Sequence, residues 1–475
     1  MKTTKKPRSG QLALKGGSYS LLITAIVLAI LIVVNVFAST LPASLTSIDI
    51  SSNKLYSITS NTKVVVNNLQ QDVTIYWIVQ AEQEDDILEN LLSKYDSLSD
   101  HISVVKKNPD AFPTFTEQYT DEDVPNNSLI VESGERFRYI SYNEIYLTEF
   151  DYYSYTSGFD GEGAITSAID YVVTEDLPQL YVLEGHGESE LPATFADSIE
   201  KENIELNTLS LLTVDAIPEE ADAIMIYAPQ SDISSEEKTM LADYVSGGGK
   251  LFVMAGPVEG TALDNLNALL ADYGVEMVEG IVIEGNRSYY ALGYPYILMP
   301  DMESSEITDS LIESNYYPIL SLSQGLSIGY SSQGTVTELL TTSGDAFSKI
   351  AGFELDTYEK EEGDIDGPFT LAVSIESDGD GQLIWFSASD FLGDMYNAYS
   401  SGANVDLAMN SLSSLIGERE ALAIRSKSLN YNYLTISETT ASTLKTLMIG
   451  VFPLTYLAIG ILIIVRKRGK QNETV

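Results

Sequence analysis

A chain of 475 residues has room for more than one domain, and at 44% hydrophobic content it can bury substantial cores. Its 69 acidic and 26 basic residues give a formal net charge of −43, which argues against nucleic acid or an anionic membrane surface as a partner held by charge. There is no cysteine, so disulfides and thiol chemistry are excluded.

The charges are unevenly placed. No Asp or Glu precedes Asp49, whereas Lys2, Lys5, Lys6, Arg8 and Lys15 precede a first apolar segment, Leu21 to Ala38. That segment is about 27 Å long as a helix, and Leu444 to Val465 is a second and longer one, so both can span a bilayer. Arg466, Lys467, Arg468 and Lys470 follow the second, while residues 42–443 carry 16 basic and 68 acidic residues, a net of −52. The positive-inside rule then puts both termini in the cytoplasm and the acidic middle outside the cell membrane. Pro453 is expected to kink the second span. The rival reading is a signal peptide cleaved after Val36-Phe37-Ala38, a poor site behind an unusually long apolar run. Either way the middle is exported.

The predicted plan is a basic tail (1–20), a first span (21–41), an α/β domain (42–150), a linker and helix (151–178), a second α/β domain (179–420), a membrane-proximal segment (421–443), a second span (444–465) and a basic tail (466–475). In the first domain, 63–69 and 72–79 read as strands, with Val73, Ile75 and Trp77 alternating against Thr74, Tyr76 and Ile78. Residues 84–98 have helical spacing at Ile87, Leu91, Leu92 and Tyr95, 102–106 is a strand, and 128–132 with 137–141 reads as a hairpin turning at Ser133-Gly134. This order resembles a thioredoxin-like arrangement, though without cysteine it is not a redox one. The Tyr-, Ser- and Gly-rich 151–163 reads as a linker, and 164–173 as a helix.

The second domain is organised around 179–257. An apolar run ending at Leu183 gives way to Glu184-Gly185-His186-Gly187-Glu188, followed by a helix at 193–202 and a buried run at 223–227. Ser234-Ser235-Glu236-Glu237 is a capping box opening a helix through Val245, Gly247-Gly248-Gly249 stops it, and 250–255 is the next strand. Such alternation makes a parallel sheet, whose ligands gather at the carboxyl ends of its strands. Residues 184–188, 228–232 and 256–260 should share that edge. Beyond it, 262–273 reads as a helix, 275–283 as a strand, 286–333 is irregular, 369–375 and 382–387 form a hairpin, and 405–415 is a closing helix.

His186, between two glycines and flanked by Glu184 and Glu188, reads first as a structural, hydrogen-bonded turn and second as a ligand contact, and Glu184, Gly185, His186, Gly187 and Glu188 form the candidate ligand-binding site. A metal would need further ligands that no spacing supplies, and no cofactor is implied. Gly325-Leu326-Ser327-Ile328-Gly329 matches the G-x-S-x-G elbow, but His101 and His186 both precede it, and a Ser-rich loop is the better reading. Glu376, Asp378 and Asp380 before Gly381 open like a calcium loop, yet Ser387 stands where the bidentate Glu belongs.

The terminal spans, 41–56 (LPASLTSIDISSNKLY), the 184–188 turn, 246–254 (SGGGKLFVM), 386–391 (FSASDF) and 404–415 together resemble the GldG-like family, named for gliding motility. The resemblance implies a central domain similar to class I glutamine amidotransferases and to the GIFT domains of intraflagellar transport, without the nucleophilic cysteine. It also implies a non-catalytic auxiliary component of an ABC-type transport system, with permease and ATPase subunits as partners. The exported domain is then expected to bind an envelope glycan or protein, and the alternatives are a free-standing carbohydrate-binding receptor or an envelope hydrolase.

Overall fold

The structure is a computed structural model that describes residues 25–33, 55, 57–151, 154–331, 333–417, 424, 427–429 and 445–472. The chain is a mixed α/β protein.

The first unit comprises α1 (Ser60–Asn67), β1 (Val73–Ile78), α2 (Asp86–Leu98), β2 (Ile102–Lys107), β3 (Ser128–Ser133) and β4 (Arg136–Ile140). Its sheet runs β2-β1-β3-β4, parallel only between β1 and β2. Asp85 caps α2 by accepting from the Ile87 and Leu88 amides, and the helix buries Leu88, Leu91, Leu92 and Tyr95, one face at helical spacing.

Two expectations fail here. The predicted strand at 63–69 is the helix α1. Three consecutive valines favour a strand, but the Thr59 side chain caps the segment and its Thr62–Val66 face is buried. The predicted linker at 151–163 belongs instead to a hairpin, β5 (Tyr146–Asp151) with β6 (Ser154–Phe159), running into α3 (Gly161–Val173). Its Tyr, Thr and Phe content suits strands as well as loops, and Phe159 anchors it in a core shared with Ile165, Ile169, Trp77 and Leu91.

The second unit contains β7 (Gln179–Leu183), α4 (Ala193–Lys201), β8 (Glu205–Leu209), β9 (Ala223–Tyr227), α5 (Ser235–Ser246), β10 (Lys250–Met254), α6 (Asp264–Ala271), β11 (Val275–Met277), β12 (Leu326–Ile328), β13 (Gly334–Thr341), β14 (Thr370–Ser377), β15 (Gln382–Phe386) and α7 (Ala403–Ile416). Strands β8-β7-β9-β10-β15 are parallel, and β14, with β12 and β13 against it, continues the sheet antiparallel. Alternate residues feed two cores. Met225, Phe252 and Ile384 meet α4 and α7 on one face, while Ile226, Val253 and Trp385 meet α5 and α6 on the other. Burial on both faces explains the unbroken apolar run of β9. Strand β8, polar and mostly exposed, carries no such signal.

The predicted strand at 275–283 is divided. Gly280, at φ +99°, turns the chain so that β11 pairs with β12 while Ile281–Ile283 pairs with Phe347–Lys349; a Cβ at Gly280 would stand 2.4 Å from the Lys349 carbonyl oxygen.

Residues 25–33 are helical, and a π-helical turn, Leu447–Val451, leads into a helix over Phe452–Asn472. Pro453, which has no amide hydrogen to give, is the second residue of that helix, just after the π-helical turn. Among the described residues no helix is long and apolar enough to cross a membrane. Both predicted spans reach beyond the described residues.

Candidate functional site

The parallel strands deliver 184–188, 228–232 and the chain after Met254 to one edge. The Glu184 amide donates to the Leu209 carbonyl at 2.9 Å, and the Ala228 amide to that of Met254 at 2.9 Å. Gly185 at φ +123° and Gly187 at +76° allow the reversal between them. The Glu188 carboxylate holds the turn by accepting from the His186 amide at 2.8 Å. The His186 carbonyl accepts from the amides of Gln230 and Ser231 and from the Ser231 hydroxyl, at 3.0, 2.9 and 3.0 Å. The loops after β7 and β9 are thereby locked together.

The imidazole of His186 is buried, only 5% exposed. Its Nδ1 lies 3.2 Å from Glu188 Oε1, and its Nε2 lies 3.2 Å from Glu237 Oε2. Each ring nitrogen thus has a carboxylate oxygen within hydrogen-bonding distance. Glu237 is also the capping-box residue of α5, and its Oε2 accepts from the Ser234 amide at 2.8 Å. Burial works to raise the Glu237 carboxyl, but the hydrogen bonds with Ser234 and the nearby His186 outweigh it and hold the group below its usual range. Its Oε1 is buried without a partner.

Of the five predicted site residues, Glu184, Gly185 and Gly187 are exposed, Glu188 is half-buried and His186 is sealed in. The turn can therefore present backbone and the Glu184 carboxylate, with the ring as its internal fastener. Sequence reading found Glu237 as a cap but missed it as the partner of His186, because the contact spans 51 positions.

The same edge continues past β10 and β15. A Cβ at Gly256 would meet Ser389 N at 3.1 Å and Leu322 O at 3.3 Å, so two loops close on that position, and the Leu322 amide donates to the Tyr296 carbonyl. The ring of Tyr296 lies 5.6 Å from Tyr294 and 5.6 Å from Tyr358, tilted 41° and 38° to them. Tyr294 is 50% and Tyr358 42% exposed. Burial, with Asp390 and Asp394 nearby, pushes the Tyr227 hydroxyl well above its usual range, and burial alone raises Asp390. Tyr294 and Tyr296 fall in the stretch 286–333 that reads as irregular, and Tyr358 lies beyond it, so no sequence signal joined the three.

The remaining motifs lie apart. Ser327 sits in β12 opposite Glu276, with no helix following, so the nucleophile elbow is not formed. It borders a cleft of about 810 Å³ also lined by Glu338 and Asp366. The 376–381 segment turns the β14–β15 hairpin, and the Asp380 carbonyl accepts from Lys250 Nζ at 2.9 Å. A cleft of about 950 Å³ opens at the amino ends of β7 and β8, lined by Arg136, Tyr171, Gln179 and Glu205 among others. Among the described residues no group of three or more His, Asp or Glu is placed to hold a metal ion.

Parallel strands with helices on both faces and a bonded loop edge define an α/β protein of the open-sheet class. Residues 177–411 match the model of a family described as an ABC-type uncharacterized transport system, a match consistent with a GldG-like family of auxiliary components. Residues 52–148 match a domain of unknown function, DUF7088. No curated protein matches the chain. Among solved structures, the mmIFT52 N-terminal domain is similar over 50% of this chain and 98% of its own, with 16% identity and a TM-score of 0.39. Exo-beta-1,4-mannosidase Op5Man5 from Opitutaceae bacterium strain TAV5 is similar over 69% of this chain and 48% of its own, with 10% identity and a TM-score of 0.27. Likenesses this loose define neither fold nor activity.

Proposed function

We propose that the chain is a non-catalytic, membrane-anchored accessory subunit of an ABC transport complex whose permease and ATPase are other polypeptides. The family match over residues 177–411 carries this reading. In it, 21–41 and 444–465 are the spans, 42–150 is a thioredoxin-like unit and 179–420 an amidotransferase-like one, both outside the cell membrane. Two facts favour the spans: Leu31 at 61% and Leu454 at 68% exposed are typical of apolar side chains that stand outward from these helices, and such exposure is costly in water but favourable in lipid. The absence of catalysis is favoured by the His186 ring, engaged at both nitrogens, and by Ser327, which sits in a strand rather than an elbow. The surface carrying Glu184, Gly185 and Gly187 serves as a contact face for a ligand or protein. Purification of the tagged full-length protein from native membranes in mild detergent, with mass spectrometry, tests the proposal. An ABC ATPase and a multispanning permease in fixed ratio are expected; the protein alone would refute it.

The row of Tyr294, Tyr296 and Tyr358 favours a second reading, a free-standing carbohydrate receptor, since flat amphipathic rings suit a neutral polar ligand. Calorimetry of the full-length protein against envelope glycans should then show heat that Tyr358→Ala abolishes, and no heat beyond dilution would end it.

A further inference from the structure

Glu162, at the start of α3, is 2% exposed and has no part in the edge described above. Its Oε1 accepts from the Thr59 amide at 2.6 Å, the Thr59 hydroxyl at 2.9 Å and the Thr62 hydroxyl at 2.8 Å. Its Oε2 receives Lys427 Nζ at 2.7 Å, and the same ammonium donates to the Ser57 carbonyl at 2.6 Å. Ser57 and Lys427 are 370 positions apart and lie on the two stretches of chain that lead toward the two apolar segments. The C-terminal stretch is also held by pairing of Lys427–Ser428 with β6 and by the Leu429 amide, which donates to Ser157 O at 2.8 Å.

The other side of α3 faces the central unit. Asn203, held in the left-handed region at φ +56° just after α4, donates to the Ser167 carbonyl and the Asp170 carboxylate, both at 2.9 Å. Lys201, on α4, reaches Asp160 at 2.6 Å. Between these contacts, Thr166 bonds Thr62 at 3.0 Å and Tyr95 at 2.6 Å. One helix of thirteen residues thus bonds to both tethers and to the first crossover of the family-matched sheet.

We propose that Glu162 and Lys427 form a latch that fastens the two membrane tethers to each other and to α3, so that the spans leave the outer domain side by side and their relative movement reaches the central sheet through α3. The latch builds on the membrane-anchored reading. It stands on a continuous bonded network, a route along which coupling can travel, rather than on proximity alone. Coupling of this kind is reciprocal: loosening one tether loosens the other.

Hydrogen exchange of the full-length protein in detergent, read by mass spectrometry, tests it. Lys427→Ala is expected to speed exchange about tenfold in peptides covering 57–62 and covering 427–429, with smaller loosening at 203–205 and none in β10; Lys427→Arg restores the native rates. Thr62→Val, which removes one donor to Glu162 at nearly constant volume, is expected to loosen 427–429 as well, and it decides the matter if Lys427→Ala fails to fold. Loosening confined to the tether that carries the substitution overturns the proposal, as does native exchange in both. No transport partner is needed, so an overturned latch leaves the accessory-subunit reading standing, and a failed co-purification leaves the latch standing.

Discussion

Two of the buried acid-centred clusters among the described residues differ in reach. The one at His186 joins a turn to a helix cap 51 positions away, and one of its carboxylate oxygens, Glu237 Oε1, has no partner. The one at Glu162 joins segments 103 and 265 positions away, and both of its oxygens are bonded. The first shapes a loop edge within one sheet, whereas the second sets which distant parts of the chain leave the domain together. The chain's two tryptophans separate them experimentally, because Trp77 lies in the core beside α3 and Trp385 in the central sheet. Trp385→Phe leaves a reporter on the first unit, and Trp77→Phe a reporter on the second.

The largest effect is expected from Glu162→Ala. It strands Lys427 and the Thr59 and Thr62 donors in a nearly dry site, and breaking a buried pair in this way costs about 3–5 kcal/mol. Urea unfolding followed at Trp77 should show that loss, with the Trp385 transition moved far less. Equal shifts at both reporters would mean that the two clusters belong to one cooperative unit. His186→Ala should give the mirror result at about 2–3 kcal/mol, since it leaves Glu188 and Glu237 buried without the ring that separates them. A transition shifted at Trp77 instead would break the comparison.

Acid sharpens it further. Glu237 is held below its ordinary value of 4.5 in the fold, so its contribution is fully present above that pH and is lost as pH falls through the lower folded value. The Trp385 transition should therefore weaken on acidification below about pH 4.5, and Glu237→Gln should flatten that dependence while leaving the Trp77 transition as acid-sensitive as before. An unchanged slope in Glu237→Gln would show that other carboxylates carry it.

Sequence alone exposed the local features and hid the distant ones. The Ser234–Glu237 box, the stop at 247–249 and the apolar runs of β7, β9 and β10 depend on neighbours within a few positions, and each lies where the pattern puts it. Helix α1 was hidden because its valines are strand formers until the Thr62–Val66 face is buried. The β5–β6 hairpin was hidden because Tyr, Ser and Gly serve loops as readily as strands. Of the edge, the glycines around His186 pointed to the right turn, but nothing within five residues of His186 announces that its ring is closed off by Glu237. Glu162 had no local signal at all: a lone Glu in the first turn of a helix is ordinary, and its partners arrive from both ends of the chain.

The smallest expected effect tests how local the His186 cluster is. Ser234→Ala removes the acceptor for the Glu237 amide, at 3.2 Å, but the alanine keeps the backbone N–H that donates to Glu237 Oε2. Half of the capping box survives, so the cost should be about 1 kcal/mol or less at Trp385 and nil at Trp77. Because the surviving half is the one that orients the carboxylate toward the imidazole, Ser234→Ala and His186→Ala should add to within about 0.5 kcal/mol in the double variant. A larger coupling would mean that the serine hydroxyl, through the helix end, helps to aim Glu237 at His186, and the cap would then have to be counted as part of the edge.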